Sequence, residues 1–249
     1  MFFEMNVYSK SLRMQTQVNI ILPDEKVKRP YKTLWLLHGL SDNHTSWMRN
    51  TSIERYAKEY GLAVVMPSVQ RTWYTDTAYD ANYFTFVTKE LPEICRTYFN
   101  GMSPLREDNI VAGLSMGGYG ALKSALTCPE QYGYCISLSG ALDITRKGRK
   151  LYTNEWQSIF GFDLKNEEEL AGSEHDLFAL AEKARQNGTP LPTLYLWCGT
   201  EDHLIEINRK FHSELERLHI AHCYEESEGD HSWKYWDKHI QSGLKYILK

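Results

Sequence analysis

The sequence predicts an α/β protein with a mostly parallel central sheet flanked by helices, and three observations carry that expectation. Short, continuously apolar runs alternate with segments of helical periodicity along most of the 249 residues, the rhythm of strands covered on both faces and joined by helical crossovers. The chain opens instead on two segments of alternating character, which suit an antiparallel pair. One apolar run leads through the glycine-rich turn Gly113-Leu-Ser-Met-Gly117-Gly118-Tyr-Gly120 into a helix of small residues.

In chain order, Phe2 to Tyr8 and Gln17 to Leu22 flank the polar turn Ser9 to Arg13 and read as the opening hairpin. Six apolar runs follow as strands: Thr33 to Leu37, Leu62 to Met66, Asn109 to Ala112, Tyr134 to Leu138, Thr193 to Trp197 and His222 to Glu225. The helical patterns between them cover Ile53 to Glu59, Tyr83 to Phe99, Gly118 to Thr127, Asn208 to Leu218 and Ser232 to Ile247. In the last of these, Trp233, Trp236, Ile240, Leu244 and Ile247 recur at helical spacing, so an apolar stripe packs onto the sheet. Residues 145–189 break the rhythm. That stretch is longer and more polar than a simple crossover and carries the acidic run Asn166 to Leu170, so it reads as a cap-like insertion over the sheet's C-terminal edge. No repeat or Pro/Gly linker divides the chain, and residues 1–249 read as a single domain, since α/β folds often run to about 200–250 residues as one unit.

Composition narrows the function. With 42% apolar and 24% charged residues the chain is an ordinary globular protein. Its formal charge of −4 and the absence of any long basic run argue against a nucleic-acid partner. Cys95, Cys128, Cys135, Cys198 and Cys223 are odd in number and widely spaced, so they imply neither a disulfide framework nor a structural metal. The N-terminus, MFFEMNVYSKSLRMQTQ, lacks the apolar core of a signal peptide, and no run approaches the ~18 apolar residues of a membrane span. The expectation is a cytoplasmic protein without cofactor, acting away from membranes.

The turn Gly113-Leu-Ser115-Met-Gly117 has the GxSxG form. A bare GxSxG is weak evidence, but strand before, helix after and the further glycines Gly118 and Gly120 make the setting of a nucleophile elbow in an α/β-hydrolase fold. A serine hydroxyl is a poor nucleophile at neutral pH. The chemistry therefore requires a histidine to take its proton and a carboxylate to orient that histidine, in the chain order serine, acid, histidine. Asp202 follows the run Thr193 to Trp197 and the turn Cys198-Gly199-Thr200, with Glu201 as its rival. His231 lies in the loop Gly229-Asp-His-Ser-Trp233 between the last strand and the last helix. His203 adjoins the acid too closely to serve as base, and His212, His219 and His239 fall in or beside helices.

Acyl transfer also needs two backbone amides aimed at the developing oxyanion. Met116, next after the serine, supplies one, and Leu40, in His38-Gly39-Leu40 after the first parallel strand, supplies the other. His38 reads as a loop brace. Aromatic residues crowd Val69 to Tyr79 and recur at Trp47, Trp156, Phe160 and Phe162. Trp73, Tyr74, Trp156 and Trp233 are candidate substrate-binding residues, with a sealed satellite core as the equal alternative.

The segments LLHGLSDNHTSW, PSVQRTWYTDTAYDANYFTFVTKELP, GLSMGGYGALK, CGTEDHLIEINRKF and GDHSWKYWDKHI together resemble the esterase D-like family of α/β-hydrolases. Within it they are most similar to bacterial tributyrin esterases and acetyl or feruloyl esterases. The resemblance spans nearly the whole chain. It implies Ser115, Asp202 and His231 as a catalytic triad and the Leu40 and Met116 amides as an oxyanion hole. It further implies hydrolysis of short acyl esters, with acetyl or feruloyl groups on plant-polysaccharide sugars as substrates, small-molecule or oligosaccharide partners, and association of the kind family members often show, into a homo-oligomer. An acyltransferase shares the first half-reaction and is the alternative, as is a thioesterase resembling the S-formylglutathione hydrolases. Those relatives carry a cysteine soon after the first oxyanion-loop glycine, where this chain has Ser41-Asp42-Asn43. A non-catalytic binding module would typically have lost the nucleophile or the base, and this chain retains both.

Overall fold

A computed structural model describes residues 1–145, 153–161, 167–188 and 190–248. Among the described residues eight strands form one sheet: β1 (Phe2–Ser9), β2 (Met14–Ile21), β3 (Thr33–Leu37), β4 (Ala63–Pro67), β5 (Asn109–Leu114), β6 (Tyr134–Leu138), β7 (Thr193–Gly199) and β8 (His222–Ser227). Their order across the sheet is β1-β2-β4-β3-β5-β6-β7-β8. The opening pair is antiparallel, with Phe2 opposite Ile21 and Ser9 opposite Met14, and β2 runs antiparallel to β4. From β4 to β8 every pairing is parallel. This is the α/β-hydrolase architecture the sequence predicts.

The helices are α1 (Ser46–Asn50), α2 (Ile53–Tyr60), α3 (Tyr83–Thr85), α4 (Leu91–Tyr98), α5 (Met116–Thr127), α6 (Thr153–Phe160), α7 (Leu177–Gln186), α8 (Ile205–Arg217) and α9 (Trp233–Ile247). The single helix expected over Tyr83 to Phe99 is α3 joined to α4 through a π turn at Phe86–Glu90. No helix among the described residues is long and apolar enough to cross a membrane.

Strand pleating sends alternate residues to opposite faces, so each central strand feeds two cores. In β3, Leu34 and Leu36 join Val64, Ile110, Ile136 and the α9 residues Ile240 and Leu244 on one face. Trp35 and Leu37 join Val111, Leu122 and Phe211 on the other. Both faces are covered, which is why the runs are continuously apolar rather than alternating.

After β3 the chain passes to β4 on one side, then crosses to place β5 on the other. Such a reversal leaves a crevice beyond the carboxyl ends of the two diverging strands, where open α/β sheets hold their ligands. The loops beginning at His38 and at Ser115 leave β3 and β5 at this point.

Of the 145–189 stretch, residues 146–152, 162–166 and 189 lie outside the described residues, and with them Phe162 and Asn166. The remainder contains α6 and α7, which the sequence pattern did not resolve from the loop. Asp176 caps α7, its carboxylate accepting the Phe178 and Ala179 amides.

Candidate active site

Ser115 stands between β5 and α5 with φ 52° and ψ −117°, a conformation that costs an L-residue on the order of 1–3 kcal/mol and persists only where its surroundings impose it. The surroundings are glycine-built. A β-carbon at Gly113 would lie 2.3 Å from the Gly117 carbonyl oxygen, and one at Gly117 would lie 2.4 Å from that of Leu37. Helix α5 therefore seats against the ends of β3 and β5 at backbone distance, and the serine at its start is pushed out over the sheet edge. Ser115 is partly exposed while Met116 behind it is fully buried.

Asp202 and His231 arrive by the same principle. Loops leaving β7 and β8 touch through Gly199, where a β-carbon would lie 2.1 Å from the Gly229 carbonyl oxygen. The Glu201 amide donates to the Gly229 carbonyl at 2.9 Å, and the Gly229 amide donates to the Glu201 carboxylate at 2.7 Å. That decides between the adjacent acids: Glu201 staples the two loops together, and Asp202 turns inward.

His231 Nδ1 lies 2.8 Å from Asp202 Oδ2 and 3.1 Å from Oδ1, and its Nε2 lies 3.0 Å from Ser115 Oγ. These partners fix the tautomer: Nδ1–H donates to the carboxylate, leaving the Nε2 lone pair to accept the serine proton. The Asp202 side chain is fully buried. Burial pushes its pKa up, but hydrogen bonds from His231 and the Leu204 amide, with the Ser139 hydroxyl acting in the same sense, more than offset this and hold it below the usual carboxylate value. The edge of the Trp236 ring, 4.9 Å away, confines the imidazole.

The loop after β3 abuts the serine, since a β-carbon at Gly39 would lie 3.7 Å from Ser115 Cβ. Among the described residues the Leu40 and Met116 amides donate to no other group. His38 is buried, and burial holds its pKa down at about 4. Its Nδ1–H donates to the Gly39 carbonyl and its Nε2 accepts the Val69 amide at 3.0 Å, so the neutral ring laces the β3 and β4 loops together.

Three of the four aromatic residues expected to touch substrate are interior. Tyr74 is wholly buried, its ring filling the notch left by Gly120 and its hydroxyl donating to the His38 carbonyl at 2.8 Å. Trp73 and Trp156 are buried against each other at 5.6 Å, and Trp156 stacks on Phe160 at 4.6 Å. They seal α6 onto the 69–79 loop, as do Arg71 with Glu155 at 3.0 Å and the Ala78 amide with the Ile159 carbonyl at 2.8 Å. An apolar side chain signals burial equally well in a wall and in a pocket, and here it means the wall. Trp233 is half-buried, edge-on to Trp47 at 5.1 Å and to Trp236 at 5.4 Å.

Sequence reasoning missed Ser139. It follows β6 with φ 46°, its amide bonds the Trp197 carbonyl at 2.7 Å, and its hydroxyl accepts from Trp236 Nε1 at 3.1 Å beside Asp202. The one signal available was its place at the carboxyl end of a strand next to β5.

The Esterase family model matches residues 9–247. The chain belongs to the esterase family. It is 34% identical over 264 aligned positions to an acetyl esterase of Caldicellulosiruptor saccharolyticus, covering 99% of this chain and 97% of that one. Among solved structures it superposes with a TM-score of 0.93 on the substrate-bound fluorophosphonate-binding serine hydrolase FphF of Staphylococcus aureus, at 33% identity over 100% of this chain and 98% of that one. The S-formylglutathione hydrolase FrmB of the same organism matches with a TM-score of 0.88, also at 33% identity, over 100% and 99% of the two chains. This esterase is a serine carboxylic ester hydrolase, the activity expected from GxSxG in its strand-turn-helix setting.

Proposed function

We propose that Ser115 is the nucleophile of this esterase, His231 its general base, Asp202 the acid that orients the base, and the amides of Leu40 and Met116 its oxyanion hole. The observation that carries the reading is the unbroken chain Ser115 Oγ, His231 Nε2, His231 Nδ1, Asp202 Oδ2, with links of 3.0 and 2.8 Å.

Ser115 Oγ attacks the ester carbonyl as its proton passes to Nε2, and the carbonyl oxygen, now negative, takes the two amide hydrogen bonds. The amides are already oriented before reaction, and one such donor is worth about 2.7–4 kcal/mol of barrier. His231 next protonates the departing alcohol, leaving the acyl group on Oγ. Water enters, gives its proton to Nε2, and repeats the sequence to release the acid. Asp202 stays ionised throughout and steadies the imidazolium.

The substrate we assign is a short acyl ester, acetyl first, with feruloyl groups on plant-polysaccharide sugars as further candidates. The acetyl esterase relative supports the acetyl assignment. The described part of residues 145–189 would act as a cap of the single domain, shaping the acyl pocket through α6 and its aromatic wall. The FrmB likeness supports a second reading, hydrolysis of the S-formylglutathione thioester.

Replacing Ser115 with alanine, with folding checked by circular dichroism, should abolish hydrolysis of p-nitrophenyl acetate; an active variant overturns the assignment. A panel of acetyl, butyryl and feruloyl esters, xylan-linked acyl sugars and S-formylglutathione ranks the substrates. Preference for the thioester would replace the acetyl reading.

A further inference from the structure

His203 lies beside the proposed triad without belonging to it. Its side chain is 68% exposed, its Nδ1 is 3.5 Å from Asp202 Oδ1, and its ring stands edge-on to His231 at 4.5 Å. One ligand atom from each of Asp202, His203 and His231 falls within 4.8 Å of the others.

The spacing is informative. Tetrahedral zinc with bonds of about 2.0–2.1 Å holds its ligands about 3.3 Å apart. The two edges meeting at Asp202 Oδ1 measure 3.1 Å to His231 Nδ1 and 3.5 Å to His203 Nδ1. Two imidazoles and a carboxylate are a donor set suited to zinc and poorly suited to magnesium, which wants oxygen ligands. The exposed flank of His203 leaves the fourth position to water.

We propose that Asp202, His203 and His231 form an inhibitory site for a soft divalent cation, zinc above all, at the back of the catalytic base. The inference rests on the proposed role of His231. To ligate through Nδ1, the imidazole gives up the proton it donates to Asp202 and takes one at Nε2 by exchange with solvent, so the net proton count is unchanged. The Nε2–H then donates to Ser115 Oγ instead of accepting from it. The lone pair needed to deprotonate the nucleophile has moved to the metal, and the resting enzyme is locked in the unreactive tautomer. Magnesium has no such effect, because it prefers oxygen ligands and does not displace Nδ1–H.

The test titrates ZnCl2 and MgCl2 against p-nitrophenyl acetate hydrolysis by the wild type and His203→Ala, after chelator treatment. Zinc should inhibit the wild type and EDTA should restore it, while magnesium does neither. Losing even an outer partner of a metal site costs about 10–100-fold in affinity, so His203→Ala should need at least about tenfold more zinc for half-inhibition. Calorimetry on Ser115→Ala should record one zinc per chain, weakened to the same degree in Ser115→Ala/His203→Ala. That binding readout needs no turnover, so it separates failure of the metal site from failure of the triad reading. Equal zinc sensitivity of wild type and His203→Ala, no inhibition up to about 1 mM zinc, or equal inhibition by magnesium overturns the proposal.

Discussion

Two regions meet at the carboxyl edge of the sheet and are built on different principles. At the Ser115, Asp202 and His231 corner, position is fixed by backbone against backbone: Gly113 on Gly117, Gly117 on Leu37, Gly199 on Gly229. At the wall formed by residues 69–79 and α6, position is fixed by side chains: Trp73 on Trp156, Trp156 on Phe160, Phe160 edge-on to His175 at 4.9 Å, and buried Lys123 bonded to the Tyr74 carbonyl and Thr75 hydroxyl. Backbone contacts tolerate almost no variation, and they belong to the sheet. Packed side chains can be exchanged for others of similar volume. On the proposed reading, the first region carries the chemistry and the second accommodates different substrates.

Four predictions probe that division, the largest effect first. Asp202→Asn keeps the shape of the corner but holds His231 in the wrong tautomer, so kcat should fall about 10⁴-fold, roughly 5.5 kcal/mol of barrier, with melting temperature little changed. A large loss of stability instead would make Asp202 a structural rather than an orienting residue. Trp156→Ala removes a buried ring from the wall and should cost about 3–5 kcal/mol of stability, with KM for bulky esters changing more than kcat for acetyl esters. An equal fall in kcat for every ester would erase the distinction between the regions.

The third prediction concerns acid. His38 and His239 are held at about 4 and His175 at about 3, all below the ordinary 6.5, by burial first and, for His175, by the Lys123 charge second. Each binds its proton more readily in the unfolded chain. Stability from these groups is therefore complete above about pH 6.5 and drains away as pH falls through the window down to about 3. Melting temperature should drop across that window. His175→Gln should flatten the wall's share of the slope and His38→Gln the corner's; unchanged slopes in both would refute the attribution.

Smallest is Ser139→Ala. It leaves Trp236 Nε1 without its acceptor and removes a hydroxyl that helps keep Asp202 ionised. We expect kcat to fall about tenfold, roughly 1.4 kcal/mol, with the acid limb of the kcat/KM profile moving to higher pH. Ser139→Thr, which restores a hydroxyl, should recover part of both. A stability loss without movement of that limb would make Ser139 a packing residue.

What was legible in the sequence follows the same division. Glycine spacing and strand-turn-helix order are consequences of backbone geometry, so Ser115 and the His231 loop stand out as candidates in the sequence, while the acid stays a choice between Asp202 and Glu201. β3 and β6 end where their apolar runs end, whereas β5, β7 and β8 run two residues further than theirs. There the next strand's hydrogen bonds, such as Gly199 opposite Ser227, extend the ladder past the apolar residues. Glu201 and Asp202 were separable only in space, since adjacent acids in one loop differ in partner and not in type. For Tyr74 the sequence leaves substrate contact and a sealed core as equal alternatives, because an aromatic residue announces burial without saying whether a ligand or Gly120 will cover it. Ser139 has only its place at the end of a strand to mark it, since it matters through Trp236, 97 residues away.

The most direct test of the account is covalent. Intact-mass analysis after treatment with a fluorophosphonate should find one adduct per chain, peptide mapping should place it on Ser115, and His231→Ala should label far more slowly. Undiminished labelling of Ser115→Ala, or an adduct mapped to any other residue, would contradict it.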